Sequence, residues 1–359
     1  MRLRSIRLTQ FKNYSQHQFS FHDRVVAICG NNGVGKTNLL DAIHYLSFTK
    51  SYFSRSDAGV VQAGGDGFRI EGAFDLRGKQ EKAVCIFRSP GKKEFSIDGN
   101  QYERLSLHIG RYPSVVIAPD DALLITGGSE ERRKFMDALL AQLDSGYLAQ
   151  LIRYTRLIQQ RNSQLRAIAE RTSQDFTLLD VIDQQLEAPG TFIFNRRREF
   201  LQGFLPAVQR SYEQIAMQRE DIALVYDSQL QEASLSELLR AGRQKDLASQ
   251  RSHFGVHRDE LQLQMAGQPF RQVASQGQRK SLLFALKLAE LDVLRAEKGF
   301  SPLLLLDDVF EKLDELRIGN LLRRVCVDND GQVFITDTHT ERVRQHLDGL
   351  SAGFQLVEL

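Results

Sequence analysis

A glycine-rich octapeptide near the N-terminus has the residue types that bind a phosphate group. Residues 30–37 read GNNGVGKT and fit the pattern G-x-x-x-x-G-K-[ST]. The glycines let successive backbone N–H groups face one anion, and a helix that begins at Lys36 would point its positive end at the same anion. We expect Lys36 to reach the β- and γ-phosphates of a nucleotide and the Thr37 hydroxyl to bind Mg²⁺. A glycine-rich turn without a ligand is the alternative.

The surroundings of this loop favour the phosphate site. The apolar run Val25–Cys29 precedes the loop, and apolar residues at helical spacing follow it over 38–48. This is the strand, loop and helix order that such a site requires. The candidate nucleotide contacts are Gly30, Asn31, Asn32, Gly33, Val34, Gly35, Lys36, Thr37 and Asn38.

Two adjacent acids follow a second apolar run, Leu303–Leu306. Ligand groups of a doubly wound sheet lie at the carboxyl ends of its strands, so both acids are expected near the phosphate loop. We predict that Asp307 holds Mg²⁺ and that Asp308 orients or deprotonates the attacking water. With Lys36 they are the candidate catalytic residues. An acidic pair after a strand also occurs as a helix N-cap, which is the alternative.

A third candidate site lies at the start of a long helix predicted over 279–297. Ser275 offers a hydroxyl and Gly277 an N–H with open approach, and Gln278 completes the candidate contacts. The dipole of the helix favours an anion here. One nucleotide does not need two complete helix-terminus sites, so this helix is predicted to cap the γ-phosphate of ATP bound by a second copy. A plain helix N-cap is the alternative, because serine is a favoured capping residue.

The elements that position these sites predict an α/β fold. Period-two patterns over 67–112 indicate an antiparallel sheet, and strands are also expected at Ser114–Ala118, near Ile222–Tyr226 and at 332–336. Helical periodicity runs through 129–217, and another helix is expected near 314–325. We predict a nucleotide-binding lobe of mixed sheet formed by both chain ends, 1–118 and 271–359, with an inserted, mainly helical lobe over 119–270.

Composition excludes several classes of protein. Lys and Arg number 47 and Asp and Glu 45, and a net charge of +2 excludes a basic packaging protein and an acidic tail. The three cysteines form no CxxC pair, which argues against structural zinc and a disulfide framework. No signal peptide and no apolar run of about 18 residues are present, so we expect a cytoplasmic location.

The order of phosphate loop, S-x-G-Q stretch and Asp-Asp strand resembles the ABC-type ATPase heads of the SMC class. More specifically, it resembles the RecF family of bacterial recombination mediators, and the resemblance spans nearly the whole chain. Further stretches that carry it are LTQFKNY (8–14), APDD (118–121) with Gly128 and RRKFMD (132–137), GVHRDE (255–260) and ASQGQRK (274–280).

This resemblance implies a function in recombinational DNA repair and replication-gap processing. It implies an ATP-dependent homodimer on duplex and gapped DNA, weak DNA-stimulated ATP hydrolysis with Mg²⁺, and help in loading RecA together with RecO and RecR. It also implies that Asp314 is the D-loop aspartate and that His339 senses the γ-phosphate. A solvated loop histidine is the alternative for His339.

The chain also departs from the family pattern. The family often has Gly-Pro-His-Arg-Asp-Asp where this chain has Val256 and Glu260, and the serine–glutamate step common after the Asp pair is absent. The missing serine puts its contact across a dimer in doubt. No residue is identified as the Q-loop glutamine.

Clusters of cations in the inserted lobe are candidate DNA contacts, since phosphate binding needs several cations together. No sequence-reading motif accompanies them, so backbone contact to duplex is expected. Solvated helix faces are the alternative. The clusters are Arg132, Arg133 and Lys134; Arg196, Arg197 and Arg198; and Arg240, Arg243, Lys245 and Arg251.

Two functions from other classes compete with the DNA-binding clamp. One is the nucleotide-binding subunit of an ABC transporter, against which stand the large helical insertion and the absence of a leucine-serine-glycine signature start. The other is a nucleotide-switched scaffold with negligible hydrolysis, against which Asp308 argues.

Overall fold

A computed structural model describes residues 1–170, 176–216, 220–311, 315–350 and 353–359. The chain divides into two compact units. The composite unit contains Met1–Ala122, Arg210–Arg219 and Ser275–Leu359, and the inserted unit contains Leu123–Gln209 and Glu220–Ala274. The division into lobes at residues 118 and 271 stays a prediction.

The mixed α/β character follows from the strands and helices of the described residues. The strands are β1 (Arg2–Phe11), β2 (Tyr14–Ser20), β3 (Val25–Cys29), β4 (Gly67–Leu76), β5 (Lys79–Arg88), β6 (Lys92–Ile97), β7 (Asn100–Gln101), β8 (Ser114–Ile117), β9 (Ile222–Asp227), β10 (Glu260–Met265), β11 (Gln268–Pro269), β12 (Leu303–Leu306), β13 (Val333–Asp337) and β14 (Phe354–Glu358). The α-helices are α1 (Lys36–Phe48), α2 (Ala122–Thr126), α3 (Ser129–Leu143), α4 (Ser145–Ala169), α5 (Phe176–Ala216), α6 (Leu235–Ser249), α7 (Phe270–Val273), α8 (Gln276–Lys298), α9 (Glu315–Leu322) and α10 (Thr340–Asp348).

A five-stranded sheet forms the centre of the composite unit, with the order β14-β3-β13-β12-β8 and every pair parallel. Strands β3 and β12 are buried along their whole length, as expected for apolar strands covered on both faces. Parallel pairing places the carboxyl ends of β3, β12 and β13 at one edge. The loops after these strands therefore meet there.

The second sheet of the composite unit is antiparallel, with the order β2-β1-β4-β5-β6-β7. Its strands alternate buried and exposed residues, which explains the period-two pattern of the sequence. Turns lie at Arg77-Gly78 and Asp98-Gly99, and all four residues have positive φ. Apolar residues of β1, β4, β5 and α1 form one buried core with the parallel sheet.

The inserted unit packs helices α3–α6 with the small sheet β11-β10-β9. Pro189 and Pro206 both lie inside α5 rather than at its ends. Helix α6 is not among the predicted elements, although Ser234 and Glu237 form a capping box at its start. That S-x-x-E spacing is the signal that could have found it. Among the described helices, none has the length and apolar character needed to cross a membrane.

Candidate nucleotide site and basic clusters

The edge of the parallel sheet brings the phosphate loop and the first acid of the pair together. The loop after β3 places Thr37 at the start of α1, and Asp307 follows β12 directly. The Thr37 hydroxyl lies 3.0 Å from each carboxylate oxygen of Asp307. Thr336, on the neighbouring strand β13, donates its hydroxyl to Asp307 Oδ1 at 2.7 Å. Residues that are 270 positions apart in sequence thus share one site.

Asp307 is buried, with an exposed fraction of 4%. Burial raises the pKa of this carboxyl above its usual range, and the hydroxyls of Thr336 and Thr37 oppose the shift. The neighbouring charge of Asp308 raises the pKa further. A bound cation would favour the ionised form of Asp307.

The donor set at Asp307 fits Mg²⁺ bound together with a nucleotide. Mg²⁺ is usually held by one or two carboxylates plus phosphate oxygens and water. Thr37 and Asp307 supply a hydroxyl and a carboxylate side by side. The described residues contain no group of three or more His, Cys, Asp or Glu side chains that could hold a metal by themselves. The remaining ligands would therefore come from phosphate and water.

The phosphate loop is curved by glycines and closed by its lysine. Gly33 and Gly35 have φ of 84° and 116°, in the region that favours glycine. The Lys36 ammonium donates to the carbonyl oxygens of Gly30 at 2.8 Å and Asn31 at 2.9 Å. These contacts hold the ammonium over the loop, where it can donate to a phosphate.

The turn between β1 and β2 contacts the phosphate loop, which the periodicity of the sequence does not predict. The Tyr14 hydroxyl donates to the carbonyl oxygen of Gly35 at 3.0 Å, and Asn13 Nδ2 donates to that of Val34 at 2.8 Å. A Cβ on Gly35 would lie only 2.6 Å from Asn13 Nδ2. Asn38 is predicted as a nucleotide contact, and its Nδ2 donates to Asn13 Oδ1 at 2.7 Å.

Tyr14 is suited to a structural contact. It is buried, and burial raises the pKa of its phenol to about 12, so the hydroxyl remains a donor at neutral pH. The stretch FKNY is identified only through the family resemblance, because nothing in its spacing shows that it reaches the loop.

Asp308, the candidate base, has an unusual backbone. Its φ is 47°, which few residues other than glycine adopt. Its N–H donates to the Thr336 hydroxyl at 3.1 Å. Thr336 therefore contacts the carboxylate of Asp307 and the backbone of Asp308. Backbone strain of this kind often accompanies functional sites.

Ser275 lies at the N-cap of α8 and is exposed. Its Oγ accepts from the Gln278 N–H at 3.2 Å, and the Gln278 side chain accepts from the Ser275 N–H at 2.7 Å. This is the capping role named as the alternative. A Cβ on Gly277 would lie 2.7 Å from Arg317 Nη1, so the small residue lets a guanidinium approach the helix start.

His339 follows β13 and stands at the N-cap of α10, with 68% of its side chain exposed. The carboxylate of buried Asp337 accepts from the His339 N–H at 2.6 Å and from Arg342. Strand β13 pairs with β12, and Asp307 directly follows β12. A residue that follows β13, such as His339, is therefore suitably placed for a contact with nucleotide. Asp314, the predicted D-loop aspartate, lies outside the described residues.

The structure contradicts two of the predicted DNA contacts. Arg197 is 1% exposed, and its guanidinium pairs with Asp137 and Asp259, each at 2.7 Å. Arg132 is 9% exposed and forms a two-pronged ion pair with Glu260. Their charges are neutralised within the inserted unit. Arg132 and Arg197 are therefore structural cations and do not form part of a DNA-binding surface.

The remaining cations of these clusters are more accessible. Lys134 and Arg198 are exposed, although Lys134 also contacts Glu130 and Glu131. Arg196 is 38% exposed and pairs with Asp144 and Glu199. Arg133 donates to the backbone oxygen of Asp259, and Arg243 pairs with Asp180 and Asp183. The exposed cations left as candidates for contact with phosphate are Lys134, Arg198, Arg240, Lys245 and Arg251.

Comparison with known proteins gives matches over nearly the whole chain. The family described as RecF/RecN/SMC N terminal domain matches residues 2–355. The chain is 40% identical to the DNA replication and repair protein RecF of Flavobacterium johnsoniae, covering 100% of both chains. It is 38% identical to that of Parabacteroides distasonis, covering 97% of this chain and 93% of the relative.

Solved structures give the same relationship. A structure of the recombination mediator protein RecF-ATPrS in the RecFOR pathway matches with a TM-score of 0.87 and 27% identity, covering 94% of this chain and 93% of the other. An Smc head domain from Pyrococcus furiosus matches with a TM-score of 0.53 and 13% identity over 94% of this chain and 89% of the other. The second likeness concerns the fold alone.

Proposed function

Because this chain belongs to the RecF family of DNA replication and repair proteins, within the wider RecF/RecN/SMC group of ATPases, we propose that it is an ATP-driven, DNA-binding dimeric switch. ATP binds at the phosphate loop of one copy and is capped by the start of α8 of another. Hydrolysis is weak, is stimulated by DNA and resets the switch. The protein acts in the cytoplasm, where bacterial DNA lies.

The contact between Thr37 and Asp307 is the observation that carries this proposal. It places a hydroxyl and a buried carboxylate side by side at the edge of the parallel sheet, with the Lys36 ammonium over the neighbouring loop. Thr37 and Asp307 would hold Mg²⁺, and Lys36 would bind the β- and γ-phosphates. Asp308 would orient or deprotonate the attacking water. Mg²⁺ would neutralise charge on the phosphates.

The proposed dimer rests on the exposed start of α8. Ser275 and Gly277 lie at a helix N-terminus, which favours an anion. The capping box satisfies the N–H groups of Ser275 and Gln278 within one chain. The exposed hydroxyl of Ser275 can still accept or donate a further hydrogen bond. His339, and Asp314 by family resemblance, are proposed to complete the composite site.

The proposed partners come from the family resemblance, and the names of the relatives support them. A similar protein is described as a recombination mediator in the RecFOR pathway. We infer that this chain binds duplex and gapped DNA and acts with RecO and RecR to help load RecA. Membership of the RecF family rules out the transporter-subunit alternative. The scaffold with negligible hydrolysis remains the second candidate, and turnover measurements separate the two.

Sedimentation with ATP and with ADP tests the proposal. ATP should favour a dimer and ADP should not, since a ligand shifts an equilibrium only by its differential affinity for the two states. Ser275→Arg should keep ATP binding but lose the dimer and hydrolysis together. The control is Ala296→Arg, which adds the same side chain at an exposed position near the other end of α8.

The same experiment is repeated with gapped, duplex and single-stranded DNA. Duplex and gapped DNA should increase the dimer fraction with ATP. If Ser275→Arg still dimerises with ATP, the start of α8 is only a helix cap and the composite site is wrong.

A further inference from the structure

Helix α8 carries a buried charge that the proposed nucleotide chemistry does not use. The segment Ser281–Leu291 is buried on all sides, and it includes Lys287 and Glu290, each 5% exposed. Burial of an ammonium this deep has a large desolvation cost unless charged and polar partners offset it. The partners of Lys287 therefore show what the charge holds together.

Lys287 lies between two loops of the composite unit. Its Nζ is 3.6 Å from Asp121 Oδ1 and 3.4 Å from the Tyr52 hydroxyl, and the Tyr52 hydroxyl donates to Asp121. Asp121 also accepts from the Ala118 N–H at 2.8 Å, at the end of β8. Glu290 Oε2 is 4.0 Å from Nζ. Three separate segments of the chain meet at one ammonium.

The neighbouring groups of this cluster keep Lys287 in its charged form. Burial disfavours the ammonium, but Asp121, Tyr52 and Glu290 outweigh it, so the pKa of Lys287 lies above its ordinary value. Burial raises the pKa of Glu290 to about 7, with Lys287 opposing the shift. Asp121 is thus the main anionic partner of Lys287, and it is also the one that is hydrogen-bonded to Tyr52.

Tyr52 connects this cluster to the helix of the phosphate loop. Its backbone N–H donates to Asp41 Oδ1 at 2.7 Å, and Asp41 lies on α1. Asp41 is fully buried and also pairs with Lys12 at 2.7 Å. Lys12 lies in the turn between β1 and β2, which contacts the phosphate loop. Polar contacts therefore run without a break from α1, through Asp41, Tyr52 and Asp121, to Lys287 on α8.

A chain of hydrogen bonds and ion pairs depends on distance and angle more strongly than apolar packing does. A leucine at position 287 would fill a similar volume without the desolvation cost, and it would tolerate small shifts of the helix. Hydrogen bonds and ion pairs depend on distance and angle, so they specify one placement of α8 relative to α1. Ser275 stands at the N-cap of the helix that is held in this way.

We propose that Asp41, Tyr52, Asp121 and Lys287 form a positioning relay that couples the phosphate loop to the start of α8 within one chain. Nucleotide bound at the loop then sets the placement of the Ser275 end, which is the surface offered to the second copy. This inference rests on the proposed composite site. None of the four side chains is assigned a contact with nucleotide.

Two substitutions test the relay. Lys287→Met keeps an unbranched side chain of similar volume and removes its charge, and Tyr52→Phe removes one hydroxyl. Both should leave the Kd for ATP within about twofold, because the phosphate loop is untouched. Both should weaken ATP-dependent dimerisation and lower kcat, by roughly 2- to 30-fold. The double variant should be no worse than Lys287→Met alone, since both act through one chain of contacts.

Leu288→Val is the matched control, because it loosens the packing of the same buried helix without touching the relay. A merely structural role predicts that Lys287→Met and Leu288→Val lower stability and kcat in the same proportion. Additive effects of Tyr52→Phe and Lys287→Met would also overturn the relay. If Lys287→Met does not fold, Tyr52→Phe alone tests the relay. An unchanged Kd for ATP with a lowered kcat supports the relay, and an unchanged kcat overturns it.

Hydrogen exchange separates failure of the relay from failure of the dimer. With ADP, which does not favour a dimer, binding should change amide exchange at residues 276–280 in the wild type and not in Lys287→Met. An equal change in both overturns the relay. If the ADP effect depends on Lys287 but the wild type forms no dimer with ATP, the relay stands and the composite site fails.

Discussion

The cation of the phosphate loop and the buried arginines of the inserted unit play opposite parts. In the composite unit, Lys36 and Asp307 meet at a sheet edge where glycines keep the backbone open to a phosphate. In the inserted unit, Arg161 and Arg197 are fully or nearly fully buried and are paired with carboxylates of the same unit. The comparison teaches that a cationic motif indicates a ligand only when the fold does not already supply its counter-charge.

The largest expected effect lies at the open site of the composite unit. Asp308→Asn keeps the shape of the side chain and removes the candidate base. Hydrolysis should fall roughly 10²- to 10⁴-fold, while the ATP dimer persists. Single-turnover hydrolysis and sedimentation with ATP measure the two properties. Normal turnover would show that Asp308 is not the base.

Arg197→Met tests the buried, paired arginines of the inserted unit. It leaves Asp137 and Asp259 without their shared cation, and breaking a buried ion pair costs about 3–5 kcal/mol of unfolding free energy. Denaturant unfolding measures this loss. Arg198→Met, at the exposed neighbouring position, is the control and should change stability by less than about 0.5 kcal/mol. Equal losses would break the comparison between buried and exposed arginines.

Lys36→Ala tests whether the cation of the phosphate loop binds a ligand. It removes a charge-assisted phosphate contact worth roughly 1.5–3 kcal/mol, or about 10- to 150-fold in ATP affinity. Titration of labelled ATP against folded variant and wild type gives the result. An unchanged affinity means that the loop is a glycine-rich turn without a ligand.

Tyr14→Phe should have a smaller effect, because it acts on the loop and not on the phosphate. Losing the hydrogen bond to Gly35 should weaken ATP binding by about 0.5–1.5 kcal/mol. Gln16→Ala, an exposed change on the same strand β2, is the control and should bind ATP like the wild type. The assignment fails if the two variants have the same affinity.

The weakest effect is expected at the exposed cations of the inserted unit. Changing both Lys134 and Arg198 to Ala should reduce the slope of log affinity for duplex against log salt, by about 0.9 for each phosphate that is no longer neutralised. Binding is measured over a series of salt concentrations. An unaltered slope would mean that both residues belong to a solvated face, and that the inserted unit does not bind DNA through them.

Local sequence predicts those elements of the candidate nucleotide site that depend on neighbours in the chain. The phosphate loop and the start of α8 are recognisable because helix starts and glycine spacing are local properties. The pairing of Thr37 with Asp307 can be expected from strand ends alone. The contact of Tyr14 with Gly35 cannot, because it depends on how one hairpin packs against a loop.

The prediction for the arginine clusters is partly wrong for a related reason. Arg197 and Arg198 are adjacent in sequence, yet one is buried and the other exposed, since successive helical positions point about 100° apart. Which face is covered depends on Asp137 and Asp259, which lie on other segments. Strand β14 is also missing from the predicted elements, because it adds one edge strand whose partner, β3, is near the other end of the sequence.

The placement of β3 between β13 and β14 has a consequence for synthesis. The strand that carries the phosphate loop is synthesised long before both of its sheet neighbours, β13 and β14. Until then β3 has two unpaired edges, which are prone to pairing with other chains. The inserted unit is complete earlier and its helices pair locally, so it can fold first. The nascent chain therefore gains the ability to bind nucleotide only after β13 and β14 have been synthesised, and β3 needs protection until that point.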